Sequence, residues 1–114
     1  MGMTSAECKC LREGMGLTTK WLADRWHVAE YSVKRWETNR TLPADLETDL
    51  LGLRSRFDHE VEKAASTPAD GSILVPRTDA QTSGAYPAAW HRAIALQAAR
   101  RSGCRILYTD DEQL

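Results

Sequence analysis

The fold of this chain turns on Leu17-Thr-Thr-Lys-Trp-Leu-Ala-Asp-Arg-Trp-His-Val-Ala-Glu-Tyr-Ser-Val-Lys-Arg-Trp-Glu-Thr-Asn-Arg40. Thr18 supplies a hydroxyl where the open amides of a helix start need one. Thr19 to Trp26 then reads as a short helix, with Trp21, Leu22 and Trp26 as its apolar positions. His27-Val28 leaves room only for a tight break. A further helix is expected over roughly Ala29 to Thr38, with Val33 and Trp36 inward. Asn39 is a suitable left-handed stop, because Asn tolerates positive φ better than most residues.

Upstream, Thr4-x-x-Glu7 is a capping box ahead of Cys8, Leu11 and Met15 on one stripe, and Gly14 and Gly16 bracket the stop. Downstream, Pro43 opens the longest helix, expected to reach Ala65. Its apolar residues Leu46, Leu50, Leu53, Phe57, Val61 and Ala64 are spaced close to a heptad seam. The flanks are charged, so the seam needs a partner, either the rest of the chain or a second copy. Residues 66–71 are turn chemistry. Ser72-Ile-Leu-Val75 reads as a short strand halted by Pro76, which favours a sheet edge. Residues 78–85 read as loop. An Ala-rich helix follows from Pro87 to Ser102, with Trp90, Ile94 and Ala98 on one stripe and Gly103 as its stop. Cys104 to Thr109 reads as a second strand, and the acidic tail Asp110-Asp111-Glu112 is expected to fray. Two strands are too small a sheet to stand alone.

The 114 residues carry 42% hydrophobic and 27% charged residues, an ordinary globular balance that excludes wholesale disorder. No apolar run approaches the ~18 residues of a membrane span, so no membrane association is expected. Net charge is −1, yet its distribution is uneven. Residues 1–40 hold seven Lys/Arg against five Asp/Glu, and residues 41–66 hold three against six. A basic front offset by an acidic segment is invisible in the total. Cys8 and Cys10 point roughly 200° apart on a helix, which serves neither a disulfide nor a shared metal. His27, His59 and His91 have no ligand spacing. Nothing resembles a glycine-rich phosphate loop, a nucleophile elbow or a zinc signature. No enzyme, cofactor or metal is expected.

Two short helices joined by a tight turn and flanked by supporting helices form a helix-turn-helix arrangement. Leu17, Leu22-Ala23, Val28, Val33, Trp36-Glu37 and Arg40, followed by Pro43, are spaced as in the lambda repressor and Cro-like (XRE) family, which the chain resembles over about 40 of its 114 residues. Three positions depart from the family pattern. His27 replaces the turn Gly and must take a positive φ at some cost. Thr19 replaces a Gln, and Ala29 replaces the Ser or Thr cap of the third helix. More loosely, the long acidic helix, the Pro-Ala-Ala-Trp-x-Arg helix and the last strand, with Arg40, Leu42-Pro43, Trp90 and Arg92, resemble phage anti-CRISPR-associated autorepressors and their bacterial relatives.

These resemblances imply a mainly α chain. Residues 1–42 would bind DNA, residues 43–66 would form a linking helix, and residues 67–114 would form a small α+β (strand-helix-strand) dimerisation segment. Base edges would be approached by Glu30, Tyr31 and Arg35: Arg35 to guanine, Glu30 to cytosine N4, Tyr31 to a thymine methyl or a phosphate. Thr18, Thr19, Lys20, Lys34 and Arg40 would meet phosphates. Glu30 equally suits a helix N-terminus, and Lys34 can pair with it at i,i+4. Dimer contacts would come from Leu50, Phe57, Ile73, Val75, Trp90, Ile94, Ile106 and Tyr108. The expected partners are a pseudo-palindromic double-stranded DNA operator and a second copy, in the cytoplasm or nucleoid of a bacterial host, with transcriptional repression as the outcome. The rival reading is an antitoxin or anti-repressor that grips a partner protein.

Overall fold

The computed structural model describes residues 2–82 and 84–111. The chain is mainly helical, with a small two-stranded sheet, and divides into two compact units, Met1–Ser55 and Arg56–Leu114. The first unit holds α1 (Ser5–Gly14), α2 (Thr19–Trp26), α3 (Glu30–Trp36) and the first half of α4 (Ala44–Ala64). The second holds the rest of α4, β1 (Ser72–Val75), a 3-10 turn at Asp79–Gln81, α5 (Ala88–Ser102) and β2 (Arg105–Tyr108).

Local chemistry sets each helix end. Thr4 Oγ1 accepts the Glu7 amide at 3.0 Å while Glu7 Oε1 accepts the Thr4 amide at 2.8 Å, which closes the capping box of α1. Thr18 Oγ1 accepts the Trp21 amide at 2.9 Å. His27 ends α2 in the left-handed region at φ 56°, ψ 44°, the one non-glycine residue with positive φ among the described residues. Asn39 therefore does not act as the left-handed stop expected of it. The amides of Thr38, Asn39 and Arg40 instead converge on the Arg35 carbonyl at 3.0–3.1 Å. Thr38 Oγ1 donates to the Lys34 carbonyl at 2.8 Å. With the end carbonyls so engaged, α3 closes at Trp36 without any residue at positive φ.

Cys8, Met15, Leu17, Leu22, Ala23, Val33, Leu42, Leu50 and Leu53 are buried in the first unit. Cys10, two residues from Cys8, is exposed, as the helical geometry requires. Trp21, Trp26 and Trp36 are half-buried rather than core residues. Trp26 and Trp36 lie with ring centroids 6.2 Å apart, and Trp26 Nε1 donates to Asp49 Oδ2 at 2.7 Å. The Trp26 indole thus buries part of its body and bonds its polar edge to a partner.

In the second unit β1 and β2 pair in parallel, with Ser72 opposite Arg105 and Val75 opposite Tyr108, so α5 is the crossover helix of a β-α-β unit. Phe57 meets Trp90 edge-on at 5.2 Å, and Tyr86 stacks on Trp90 at 4.3 Å. Asp79 Oδ1 accepts the Ala88 amide at 2.8 Å and so caps α5 from outside the helix. Arg92 donates to the carbonyls of Pro76 and Arg77, holding the end of β1. The segment read as loop over 78–85 contains the 3-10 turn, and Ser83 lies outside the described residues. At the start of the acidic tail Asp110 takes hydrogen bonds from Arg77 and Gln81, while Glu112 lies outside the described residues.

The α4 stripe already has its cover. Leu50, Leu53, Phe57 and Val61 are all buried, as are Val75, Trp90 and Ile94. Leu50, Phe57, Val75, Trp90 and Ile94 therefore serve the interior and cannot face a second copy as the sequence reading expected. Of that set, Ile73 and Tyr108 are half-buried and Ile106 is exposed. Heptad-like spacing alone does not distinguish a seam between chains from one inside a chain.

Candidate nucleic-acid interface

Of the expected DNA contacts, Lys20, Tyr31 and Lys34 are exposed on α2 and α3, Thr19, Glu30 and Arg35 on the same helices are partly exposed, and Thr18 and Arg40 are exposed just outside them. Position along a helix decides which of them neighbour one another. Tyr31 and Arg35 are four residues apart on α3, and Arg35 Nη1 donates to Tyr31 Oη at 3.1 Å. The guanidinium also lies 5.2 Å from the centroid of the Tyr31 ring. The ring is 65% exposed, so the cation is propped against a surface aromatic rather than drawn into the core.

Glu30 is held differently. Thr19 Oγ1 donates to Glu30 Oε2 at 2.6 Å, tying the first turn of α2 to the first turn of α3. Lys34 Nζ lies 3.8 Å from the same oxygen. The Thr19 hydroxyl, with Lys34 and Lys20 contributing less, holds the Glu30 carboxyl below its ordinary pKa. Two residues read as separate DNA contacts, Thr19 and Glu30, are thus bonded to each other. Lys20 pairs with Asp24 at 3.3 Å on the surface of α2, which offsets its charge.

Two hollows flank α3. One, of about 330 Å³, is lined by Ser32, Arg35, Trp36, Arg40 and Thr41 and brings Arg35 and Arg40 to one wall. The other, of about 370 Å³, is lined by Lys9, Arg12, Thr19, Lys34, Glu37 and Thr38. Nothing local in the sequence marks Lys9, an exposed lysine on α1, as a neighbour of α3.

A second omission carries more of the architecture. Arg12 Nε donates to Glu37 Oε2 at 2.6 Å, Nη2 donates to Oε1 at 2.9 Å, and Nη1 donates to the Leu17 carbonyl at 3.0 Å. The bidentate fork raises the Arg12 pKa above its ordinary value, chiefly through the Glu37 hydrogen bonds. Burial, reinforced by Glu37, pushes the Cys8 thiol up to about 11, so this cysteine stays protonated. The sequence marks Glu37 only as one of the positions that match the family spacing. Its partner lies 25 residues away, outside any local pattern.

Among the described residues no group of three or more His, Cys, Asp or Glu could hold a metal, and no helix is long and apolar enough to cross a membrane. No protein-family model matches the chain, and no curated protein matches it at a significant level.

Proposed function

We propose that the first unit is a helix-turn-helix domain that binds double-stranded DNA through α3. The carrying observation is the exposed Tyr31–Arg35 pair on a helix locked to its predecessor by the Thr19–Glu30 hydrogen bond and the left-handed turn at His27. Arg35, already desolvated on one side by the Tyr31 ring, suits bidentate contact with guanine O6 and N7. Tyr31 offers an apolar ring edge for a neighbouring thymine methyl. Glu30, engaged by Thr19, is better suited to positioning α3 than to reading a base. Lys34, Arg40, Lys9 and the Thr18-capped start of α2 suit phosphate contacts.

The particular reading is a transcriptional repressor of the lambda repressor and Cro-like family, acting as a dimer on an inverted repeat and probing major grooves about 34 Å apart. Control of its own promoter, as in the anti-CRISPR-associated autorepressors, is the corresponding biological role. The test is selection of bound duplexes from a random pool, followed by titration of the selected site against salt. An enriched palindrome supports the reading. So does an affinity that falls by roughly 10³–10⁵ between 50 and 200 mM salt, as expected for six to ten phosphate contacts. An unenriched pool with salt-insensitive binding overturns it and favours an antitoxin or anti-repressor.

A further inference from the structure

The second unit ends in a sheet of two strands, and its two outer edges are not equivalent. The Arg105 amide donates to the Gly71 carbonyl and the Thr109 amide to the Val75 carbonyl. The two-residue period of a strand then turns the backbone of residues 105, 107 and 109 toward β1 and that of Ile106 and Tyr108 outward. On β1 the outward positions are Ser72, Leu74 and Pro76. Pro76 has no N–H, so the β1 edge is blunted where the β2 edge is not. Among the described residues no strand pairs with the outer edge of β2. A hollow of about 250 Å³ follows that strand, lined by Ile106, Leu107 and Tyr108 with Val75 and Arg92.

The apolar surface coincides with that edge. Leu74 is 60% exposed and Ile106 is 36% exposed, and their register partners are Leu107 and Ile73. Ladder partners share a face, so Leu74 and Leu107 stand together on the face that carries Ser72 and Arg105. The strand is also charged at both ends, with Arg105 at its start and Asp110-Asp111 just past its end.

We infer that β2 pairs antiparallel with β2 of a second copy about a two-fold axis at Leu107, forming a continuous sheet in the order β1-β2-β2-β1. An antiparallel register that sets outward residue against outward residue, Ile106 opposite Tyr108, pairs the Tyr108 amide with the Ile106 carbonyl and the Ile106 amide with the second lone pair of the Tyr108 carbonyl, whose first accepts the Asp111 amide of its own chain at 3.1 Å. That register stacks Leu74, Leu107, and the Leu107 and Leu74 of the copy in one apolar row. It also sets Ile73 and Ile106 beside Tyr108 and Val75 on the other face. It brings each Arg105 to the acidic turn of the other copy, whereas parallel pairing would set like charges side by side. The inference deepens the dimeric part of the proposed function by naming its contact, and it stands on the second unit alone.

The experiment uses the full chain. Hydrogen exchange on the unaltered protein should show the Ile106 amide, which has no partner within its own sheet, gaining protection as concentration rises. In a Cys10→Ser background, Leu107→Cys should give an interchain disulfide on mild oxidation. A non-hydrogen-bonded antiparallel pair has Cα atoms about 4.5 Å apart, inside the roughly 4.4–6.8 Å that a disulfide spans. Ile106→Pro removes the outward N–H together with the apolar side chain beside Ile73, and should yield a folded monomer by light scattering. A dimer whose Ile106 amide exchanges at the same rate at every concentration, and which does not cross-link, overturns this interface while leaving a dimeric repressor in place. A chain that stays monomeric at high concentration, and also on its selected DNA, overturns both. If either variant is unfolded by circular dichroism, the exchange measurement on the unaltered protein decides.

Discussion

Arg12 and Glu37 form a two-pronged ion pair at 2.6 and 2.9 Å with side chains only 12% and 6% exposed, joining α1 to the end of α3. A pair so screened from water is costly to break from one side, because the remaining charge is left without its partner. Glu37→Ala should therefore destabilise the protein by about 3 kcal/mol, read as a lower midpoint in urea with an unchanged slope. Arg12→Met combined with Glu37→Leu should recover much of that loss, since an apolar pair of similar volume avoids the desolvation cost. Equal stability of the single and double variants would mean that the pair contributes little.

The left-handed residue His27 gives a prediction of opposite sign. It holds φ 56° where a residue with a Cβ is strained. His27→Gly should raise stability by about 1 kcal/mol if relief of that strain exceeds the entropy glycine adds to the unfolded chain. His27→Val should lower it by more, because a β-branched residue is least tolerant of this region. Thermal melts of the two variants should bracket the unaltered protein.

Asp49 makes the stability of the first unit depend on acid. It accepts from Arg25 Nε at 2.7 Å and from Trp26 Nε1 at 2.7 Å. The Arg25 hydrogen bonds, and then the Trp26 bond, hold its carboxyl below the unfolded value near 3.8. A depressed carboxyl contributes stability that is present above the unfolded pKa and is lost as pH falls through the lower folded value. Unfolding midpoints of the unaltered protein should thus drop below about pH 4 more steeply than those of Asp49→Asn. Parallel curves would show that the bonds to Arg25 and Trp26 do not favour the ionised form.

Signals confined to a few neighbouring residues were legible in the sequence, and signals between distant residues were not. The Thr4–Glu7 box, the hydroxyl at Thr18, the turn at His27 and the strand Ser72–Val75 all declare themselves within four residues. Asn39 misled because its tolerance of positive φ is a permission rather than a requirement, and the Arg35 carbonyl met the need first. Arg12–Glu37 and Thr19–Glu30 were hidden because each links two helices, and periodicity says which face a residue occupies but not what lies opposite. Leu50 and Phe57 were misassigned for the same reason. An apolar stripe asks to be covered, and the chain itself was able to do it.

Asp79 tests whether the α5 cap matters. Its carboxylate accepts the Ala88 amide at 2.8 Å, where Pro87 itself can offer no side-chain oxygen. Asp79→Ala should cost about 1 kcal/mol, the usual loss on removing a helix cap. Asp79→Asn should cost less, since an amide oxygen still accepts. Loss in both variants alike would place the effect in the charge rather than in the hydrogen bond.

The Tyr31–Arg35 contact separates base reading from phosphate holding. If Arg35 reads guanine, Arg35→Ala should weaken binding to the selected duplex by about 1–3 kcal/mol and flatten preference at one base pair in each half-site. Tyr31→Phe keeps the ring 5.2 Å from the guanidinium and removes only the hydroxyl that Arg35 bonds at 3.1 Å. It should therefore cost less than Arg35→Ala and narrow the preference at the same position without abolishing it. Lys34→Ala should weaken all duplexes alike and lower the salt slope by about one, because a phosphate contact carries no sequence information. Should Arg35→Ala behave as Lys34→Ala does, with uniform weakening and a shallower salt slope, Arg35 belongs to the backbone. The reading of bases would then have to move to Tyr31 and its neighbours on α3.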